Sequence, residues 1–411
     1  VRQPSKELYC EDETVQASSS SETHHSRLSG IRREGERVTP LELFFDLVFV
    51  LAITQCTALM SHDQSWSGLV QGLLVLCVLW WAWVGYAWLT SVIDPEALAI
   101  RGVIFVAMAA LLIVSICVQE AFGNLGLTFA LGIGAFRAAH IALFWLAGAE
   151  AEDRDLRRSV IGLAVSTAIA VTILIVASFF DGAAQGALWG LAIFLDMAGP
   201  YFFGSEGWKL VPTHFAERHG LIVIIALGES IVAIGVGASG ELDLGIGAAA
   251  VLGVFLAAAL WWSYFDIVAL VSARRLREAE AGRIQNELAR DSYSYIHLLI
   301  VAGIVLVAYG MKVTIAHHAD QLDDVPAFAL LGGLATYLLG LVAFRFRQIH
   351  TINRHRLGLA IVLLFLAPVA TAVPALASVA VAVVLIWAMI AYEHRGYGAG
   401  RQELRREANA A

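Results

Sequence analysis

GLVQGLLVLCVLWWAWVGYAWLTSV, residues 68–92, contains no Asp, Glu, Lys or Arg. A helix needs about 20 mainly apolar residues to cross a bilayer, and this run is long enough. Read outward from it, the chain repeats the pattern. Spans are predicted at 41–60, 68–92, 99–120, 126–148, 159–180 and 184–204 in the first half. In the second half they fall at 217–239, 245–271, 292–315, 326–346, 357–373 and 375–393. Pro368 and Pro374 crowd the last junction, which a membrane helix tolerates when neighbours satisfy the freed carbonyl. A soluble domain carries about 25% charged residues. This chain has 15%, against 59% hydrophobic. The fold class is an all-α integral membrane protein of about twelve transmembrane helices.

The charges give the orientation. Lys and Arg stay on the cytoplasmic side of short loops. Arg32, Arg33 and Arg37 precede the first span, and Arg154, Arg157 and Arg158 follow the fourth. Arg274, Arg275, Arg277, Arg283 and Arg290 lie between spans eight and nine; Arg345, Arg347, Arg354 and Arg356 flank the loop between ten and eleven. Arg395, Arg401, Arg405 and Arg406 follow the last span. The alternate loops carry essentially none; Lys312, at the end of span nine, is the exception. An even number of spans with both termini in the cytoplasm follows. Residues 1–36 read as a disordered cytoplasmic tail and 394–411 as a cytoplasmic C-tail.

An internal duplication is also legible. Trp80-Trp81-Ala82-Trp83 in span two is answered by Trp261-Trp262-Ser263-Tyr264 in span eight. The preceding spans open with Glu42 and Glu217. Each then carries a polar pair, Thr54-Gln55 and Glu229-Ser230. Aligning the two glutamates sets Gln55 opposite Ser230. Two six-span halves, 37–210 and 211–393, have the same orientation because six is even. They form two parallel six-helix repeats, related by an axis along the membrane normal.

Ionisable residues at mid-membrane cost about 2.5–3.5 kcal/mol each on insertion scales and are functional candidates by default. Arg137, with His140 on the same helical face, Asp196 and Glu229 are the mid-span cases. Arg137 is expected to contact Asp196, Glu229 or both. Glu42 and Asp46 repel at i,i+4 and need a cation, which Arg218 or Arg101 can supply, unless they serve only the positive end of the helix. His214, Glu217 and His219 match no trusted metal spacing, so a salt-bridge cluster is the preferred reading and no metal is expected. Gly220, Gly228 and Gly235 form a small-residue stripe read as close helix packing. Trp66, Trp189 and Trp208 read as interface residues, and Trp80, Trp81, Trp83, Trp261 and Trp262 as deeper ones. The loop from His317 to Asp324 reads as a solvated turn. Cys10, Cys56, Cys77 and Cys117 form no C-x-x-C pair, so neither disulfide framework nor zinc is expected. The net charge of −8 comes without a basic stripe, so no nucleic-acid partner is expected.

Two motifs carry a resemblance. The run from Pro40 to Val50, PLELFFDLVFV, and the run from Glu217 to Ser230, ERHGLIVIIALGES, resemble the bacterial low temperature requirement protein A (LtrA) family, over about residues 36–395. The resemblance implies a multi-span protein of the bacterial cytoplasmic membrane and brings no defined activity. Phe45-Asp46, with Arg37 upstream, is also similar to the entry of potassium channels built from six-span repeats, although Phe45 stands where that pattern has serine. Three function classes follow: a transporter for a small solute or ion, a cation channel, and an intramembrane enzyme or cofactor binder. The transporter is preferred. No nucleophile–base set, phosphate loop or haem pattern is visible, so no cofactor is expected and an enzyme ranks last. Glu42, Asp46, Gln55, Arg137, His140, Asp196, Glu217, Arg218, His219, Glu229 and Ser230 are the site candidates. Glu229 with Asp46 is expected to form the core of an ion- or proton-linked site.

Overall fold

The computed structural model describes residues 37–150, 154–203, 208, 210–237 and 243–410. The N-terminal tail, 1–36, lies outside the described residues. The helices are α1 Pro40–His62, α2 Trp66–Val92, α3 Leu98–Cys117, α4 Gly126–Glu150, α5 Arg154–Ala177, α6 Gly182–Phe203, α7 Pro212–Gly237, α8 Leu244–Phe265, α9 Val268–Glu278, α10 Arg283–Ala289, α11 His297–Ala316, α12 Asp324–Ile349, α13 Arg354–Ala370 and α14 Ala375–Ala410. Among the described residues ten helical stretches are long and apolar enough to cross a membrane. The predicted spans at α6 and α13 do not reach that standard by themselves. α6 carries Gln185, Asp196 and an internal Pro200, and α13 is 17 residues long with an internal Pro368. The molecule wears its apolar residues outside: Phe44, Leu47, Val106, Phe194, Phe255, Trp261 and Phe365 are all exposed. Water does not tolerate such a continuous surface, whereas lipid does.

Helix starts follow local chemistry. α1 opens with a capping box, in which the Thr39 hydroxyl accepts from the Glu42 amide at 3.3 Å and the Thr39 amide donates to Glu42 Oε2 at 2.9 Å. Pro40 at the first turn loses nothing, because its missing N–H would have been unpaired there. α13 opens on Asn353, whose side chain accepts from two backbone amides.

Two expectations are corrected, and the last helix is longer than its predicted span. The arginine-rich segment after span eight is helical, folded into α9 and α10 rather than a loop, and α8 breaks at Asp266. Residues beyond 393 continue α14 as helix to Ala410. The glycine stripe of α7 is not a packing seam: a Cβ at Gly228 or Gly235 would meet nothing within 4 Å. The close seam lies between α11 and α12. A Cβ at Gly303 would sit 2.5 Å from the Tyr337 amide nitrogen, and one at Gly310 2.8 Å from Leu330 Cα. Gly333 and Gly340 face back at the same spacing of seven, so the two backbones approach where only hydrogen fits.

The neighbours of the first half recur in the second. α1 packs on α3, α3 on α4, α4 on α5 and α2 on α6; likewise α7 packs on α11, α11 on α12, α12 on α13 and α8 on α14. α1 and α7 pack on each other between the halves.

Candidate functional site

Near their N-terminal ends α1 and α7 are joined by a buried charge cluster. Arg218 has no exposed surface. Its Nη2 donates to Asp46 Oδ1 at 2.7 Å, and its Nη1 donates to Glu42 Oε1 at 3.1 Å and to the Thr90 hydroxyl at 2.9 Å. The indole of Trp83 donates to the same Asp46 oxygen at 3.0 Å and lies under the guanidinium at 5.5 Å. His214 bridges Glu42, at 2.8 Å, and the Ser91 hydroxyl, at 3.1 Å. Two carboxylates one helical turn apart are tolerable in apolar surroundings only with a cation between them. Arg218 fills that role. Arg101 does not; it donates to the backbone carbonyl of Glu96. Glu42 serves two ends at once, capping α1 through Oε2 and holding Arg218 and His214 through Oε1.

Farther along the same seam, Glu229 is 1% exposed. It accepts from the Thr57 hydroxyl at 2.6 Å and from the Thr54 hydroxyl, both on α1. Asp46 and Thr54 are eight residues apart on one helix, about 12 Å at 1.5 Å per residue. Glu229 and Asp46 therefore occupy two stations on one seam.

Arg137 belongs to a different place, inside the group formed by α2, α4, α5 and α6. Its Nη2 donates to the Thr167 hydroxyl at 2.6 Å and to Asp196 Oδ1 at 3.1 Å and Oδ2 at 3.2 Å. Thr167 in turn donates to Asp196 Oδ1 at 3.1 Å. Of the two expected acids, Arg137 takes Asp196; Glu229 has its own partners on α1. Arg137 Nε has no hydrogen bond, and Nη1 reaches only the Trp81 carbonyl, at 3.5 Å. Two cavities meet at this residue. One, of about 60 Å³, lies toward the arginine-rich ends and is lined by Trp81, Gly85, Trp88, Arg137, His140 and Arg290, among others. The other, of about 20 Å³, lies on the opposite side, against Cys77, Ile133, Leu174 and Asp196. Trp81 and Arg137 line both.

The first cavity is shaped by an irregular turn of helix. Residues Arg290–Ile296 form a π-helix between α10 and α11, a rare geometry that concentrates at functional sites. It presents the Ser294 carbonyl to Trp80, at 2.8 Å, and the Ser294 hydroxyl to Trp88, at 3.0 Å. Arg290 stands over the Tyr201 ring at 4.0 Å and pairs with Asp291 at 2.8 Å.

A family model described as Bacterial low temperature requirement A protein matches residues 37–391. The chain belongs to the LtrA family. It is 29% identical over 368 residues to an uncharacterized protein of Rhizobium meliloti (strain 1021), covering 86% of this chain and 89% of that one. No solved structure matches the chain.

Of the residues in the two LtrA-like motifs, Glu42, Asp46, Arg218 and Glu229 make the contacts above. The others are placed less tellingly. Glu217 is exposed and accepts from the Val38 amide at 3.2 Å. His219 is buried among Trp83, Phe215, Tyr293 and His297 and hydrogen bonds the Phe215 carbonyl at 2.8 Å. Ser230 is buried, its hydroxyl without a partner. Gln55 accepts from Gln119. His140 stacks against Tyr86 and Phe144 and faces Gly85. Among the described residues no group of three or more His, Cys, Asp or Glu is arranged to hold a metal.

Four features escaped the sequence reading. Arg356 makes a two-point ion pair with Glu393, at 2.9 Å from both Nε and Nη2, and caps the Ser263 carbonyl at 3.1 Å. Tyr264 and His297 share a buried hydrogen bond of 2.9 Å. Trp189, read as an interface residue, is buried against Phe122 and Phe129. The His317–Asp324 turn is mostly exposed, as expected of a solvated turn, and is also tied down: the Asp320 carbonyl accepts from the Ala375 amide at 2.8 Å.

Proposed function

We propose that this LtrA-family protein is a transporter for a small solute or ion, linked to proton or cation movement through Glu229. The observation that carries the reading is the setting of Glu229: a buried carboxyl between the hydroxyls of Thr54 and Thr57 on the opposite half. A carboxyl so placed can bind and release a proton as the two halves move relative to each other, because its surroundings change with them. Two helices crossing the boundary between repeats are where transporters hold coupling ions.

The frame proposed for it is twelve spans in two parallel six-helix repeats, with α6 and α13 supplying the eleventh and twelfth. The recurrence of neighbours between the halves supports it. So does the contact of Thr54 with Glu229, which are equivalent when Glu42 is aligned with Glu217. Equivalent residues touch only near a two-fold axis, so the axis would pass through the α1–α7 seam. The arginine-rich side is assigned to the cytoplasm of the bacterial membrane, with both termini there. Single cysteines at Ser65 and His355, labelled from outside and inside spheroplasts, test that orientation. A simple cation pore along the seam is disfavoured because Arg218 is bonded across it.

The test is electrical. Purified protein in liposomes adsorbed to a solid-supported membrane is given jumps of pH, sodium and potassium. The wild type is expected to give a transient charge movement with one of them, and Glu229→Gln to lose it while melting and eluting as the wild type does. An undiminished transient in that variant, or none in the wild type, rejects the reading.

A further inference from the structure

We propose that the cavity beside Arg137 is a binding site for a small organic carboxylate, with the anion on the guanidinium and its apolar body among the tryptophans. The site lies within the first half, away from the Glu229 seam, and stands whether or not Glu229 couples transport.

Arg137 is 2% exposed, and its hydrogen bonding is incomplete. Guanidinium offers five N–H donors in a fixed fork. Here Nη2 serves Thr167 and Asp196, Nε serves nothing, and Nη1 has only the long contact to the Trp81 carbonyl. An unused donor on a buried cation is costly, and natural interiors fill such positions with a partner. Nη1 faces Gly85: a Cβ there would lie 2.9 Å from Nη1 and 2.6 Å from His140 Cε1. Gly85 itself lines the cavity. Gly85 thus stands where a side chain would push the guanidinium aside.

The rest of the cavity fits an anion with an apolar body. Trp81, Trp88 and Trp208 supply flat apolar walls. The indole N–H of Trp208 is buried without a partner. Such a mainly apolar wall with a few convergent donors is the usual form of a small-molecule site. Arg290 at the wall is already engaged by Asp291 and Tyr201, which leaves Arg137 as the cation with donors to give. The Nη1 hydrogens left to Arg137 can give a carboxylate charge-assisted hydrogen bonds. A volume of about 60 Å³ admits a short chain rather than a drug-sized molecule. Asp196 is then the internal competitor: it holds the same guanidinium from the far side, where the second cavity begins.

The probe is butyrate, with 1-butanol as the neutral analogue and chloride as the inorganic anion, added to purified full-length protein in detergent. Tryptophan fluorescence reports the cavity walls, and equilibrium dialysis with radiolabelled butyrate reports occupancy. No membrane gradient is involved, so failure here leaves the Glu229 reading standing, and failure there leaves this one. Saturable butyrate binding is expected, without matching responses to 1-butanol or chloride. Arg137→Lys, which keeps the charge but not the fork, should weaken it about tenfold or more. Gly85→Ala should abolish it. Should that variant fail to fold, Leu163→Phe, which fills the same cavity from α5, decides the matter by the same loss. An equal response to 1-butanol would reduce the site to an apolar hollow. An equal response to chloride would remove the organic body from the proposal. Full binding in folded Gly85→Ala or Leu163→Phe, or no saturable binding of butyrate, overturns it.

Discussion

Arg218 and Arg137 are both buried arginines in mainly apolar helices, and they end in opposite conditions. Arg218 is held by two carboxylates, a hydroxyl and an indole face, all from α1 and α2. Arg137 has one carboxylate and one hydroxyl, an idle Nε, and cavities on both sides. The difference teaches what burial alone does not. A cation with more anions than it can neutralise is structural cement, whereas a cation with donors left over beside a void is open to a ligand.

Removing each arginine gives the widest separation. Arg218→Met takes the guanidinium from between Glu42 and Asp46, which are buried one turn apart. Breaking a buried ion pair from one side costs about 3–5 kcal/mol, so the expected result is loss of most folded protein, seen in melting followed by size-exclusion chromatography. Replacing all three, as Glu42→Gln, Asp46→Asn and Arg218→Met together, should recover much of that loss, because no unpaired charge remains. If the single and triple variants melt alike, the cluster is not held together by charge.

Arg137→Met should cost less, about 1.5–3 kcal/mol, the worth of hydrogen bonds to a charged group. Asp196 keeps the Thr167 hydroxyl, and its side chain is 16% exposed. A loss as deep as that of Arg218→Met would erase the distinction between the two sites.

The membrane fold was largely legible because apolar length and arginine placement are strong signals, and each costly residue stands out against an apolar background. Glu42, Asp46, Arg137, Asp196 and Glu229 stand out that way in the sequence, which also offers Arg218 as a partner for the first two and Asp196 as a partner for Arg137. What the sequence hid depended on three dimensions. Arg290 and Arg356 read as loop charges in the sequence, yet one stands at a cavity wall and the other pairs with Glu393 inside the bundle. Threonine costs little to bury, so Thr54, Thr57 and Thr167 gave no warning that they would hold the acids. Gly228 and Gly235 on α7 have the same spacing of seven as the glycines of α11 and α12, but a Cβ at either would meet nothing, whereas those of α11 and α12 face a backbone. No composition marks a π-helix. The separation of Glu229 from Asp46 into two stations is likewise a matter of where on one helix each partner falls.

The smallest expected effect sharpens the comparison most. The hydroxyls of Thr90 and Thr167 play matching parts, each accepting from a buried arginine at 2.9 and 2.6 Å. Valine preserves the shape and removes the hydrogen bond, at a cost near 1 kcal/mol. At Thr90 the result should be only that loss of stability, because Arg218 remains fixed by Glu42 and Asp46. At Thr167 the change also removes a donor to Asp196 and an acceptor from Arg137. The guanidinium is then less tightly drawn to α5 and α6, and the cost of turning it toward a carboxylate in the cavity falls. Thr167→Val should therefore bind butyrate severalfold more tightly than the wild type, a gain of under about 1.4 kcal/mol, while Thr90→Val leaves that binding unchanged. A titration in which both variants match the wild type would mean that Thr167 and Asp196 do not compete with the ligand for Arg137. A gain at Thr90 as well would point to a general loosening of the helices, and the two arginines would no longer be distinguished by their surroundings.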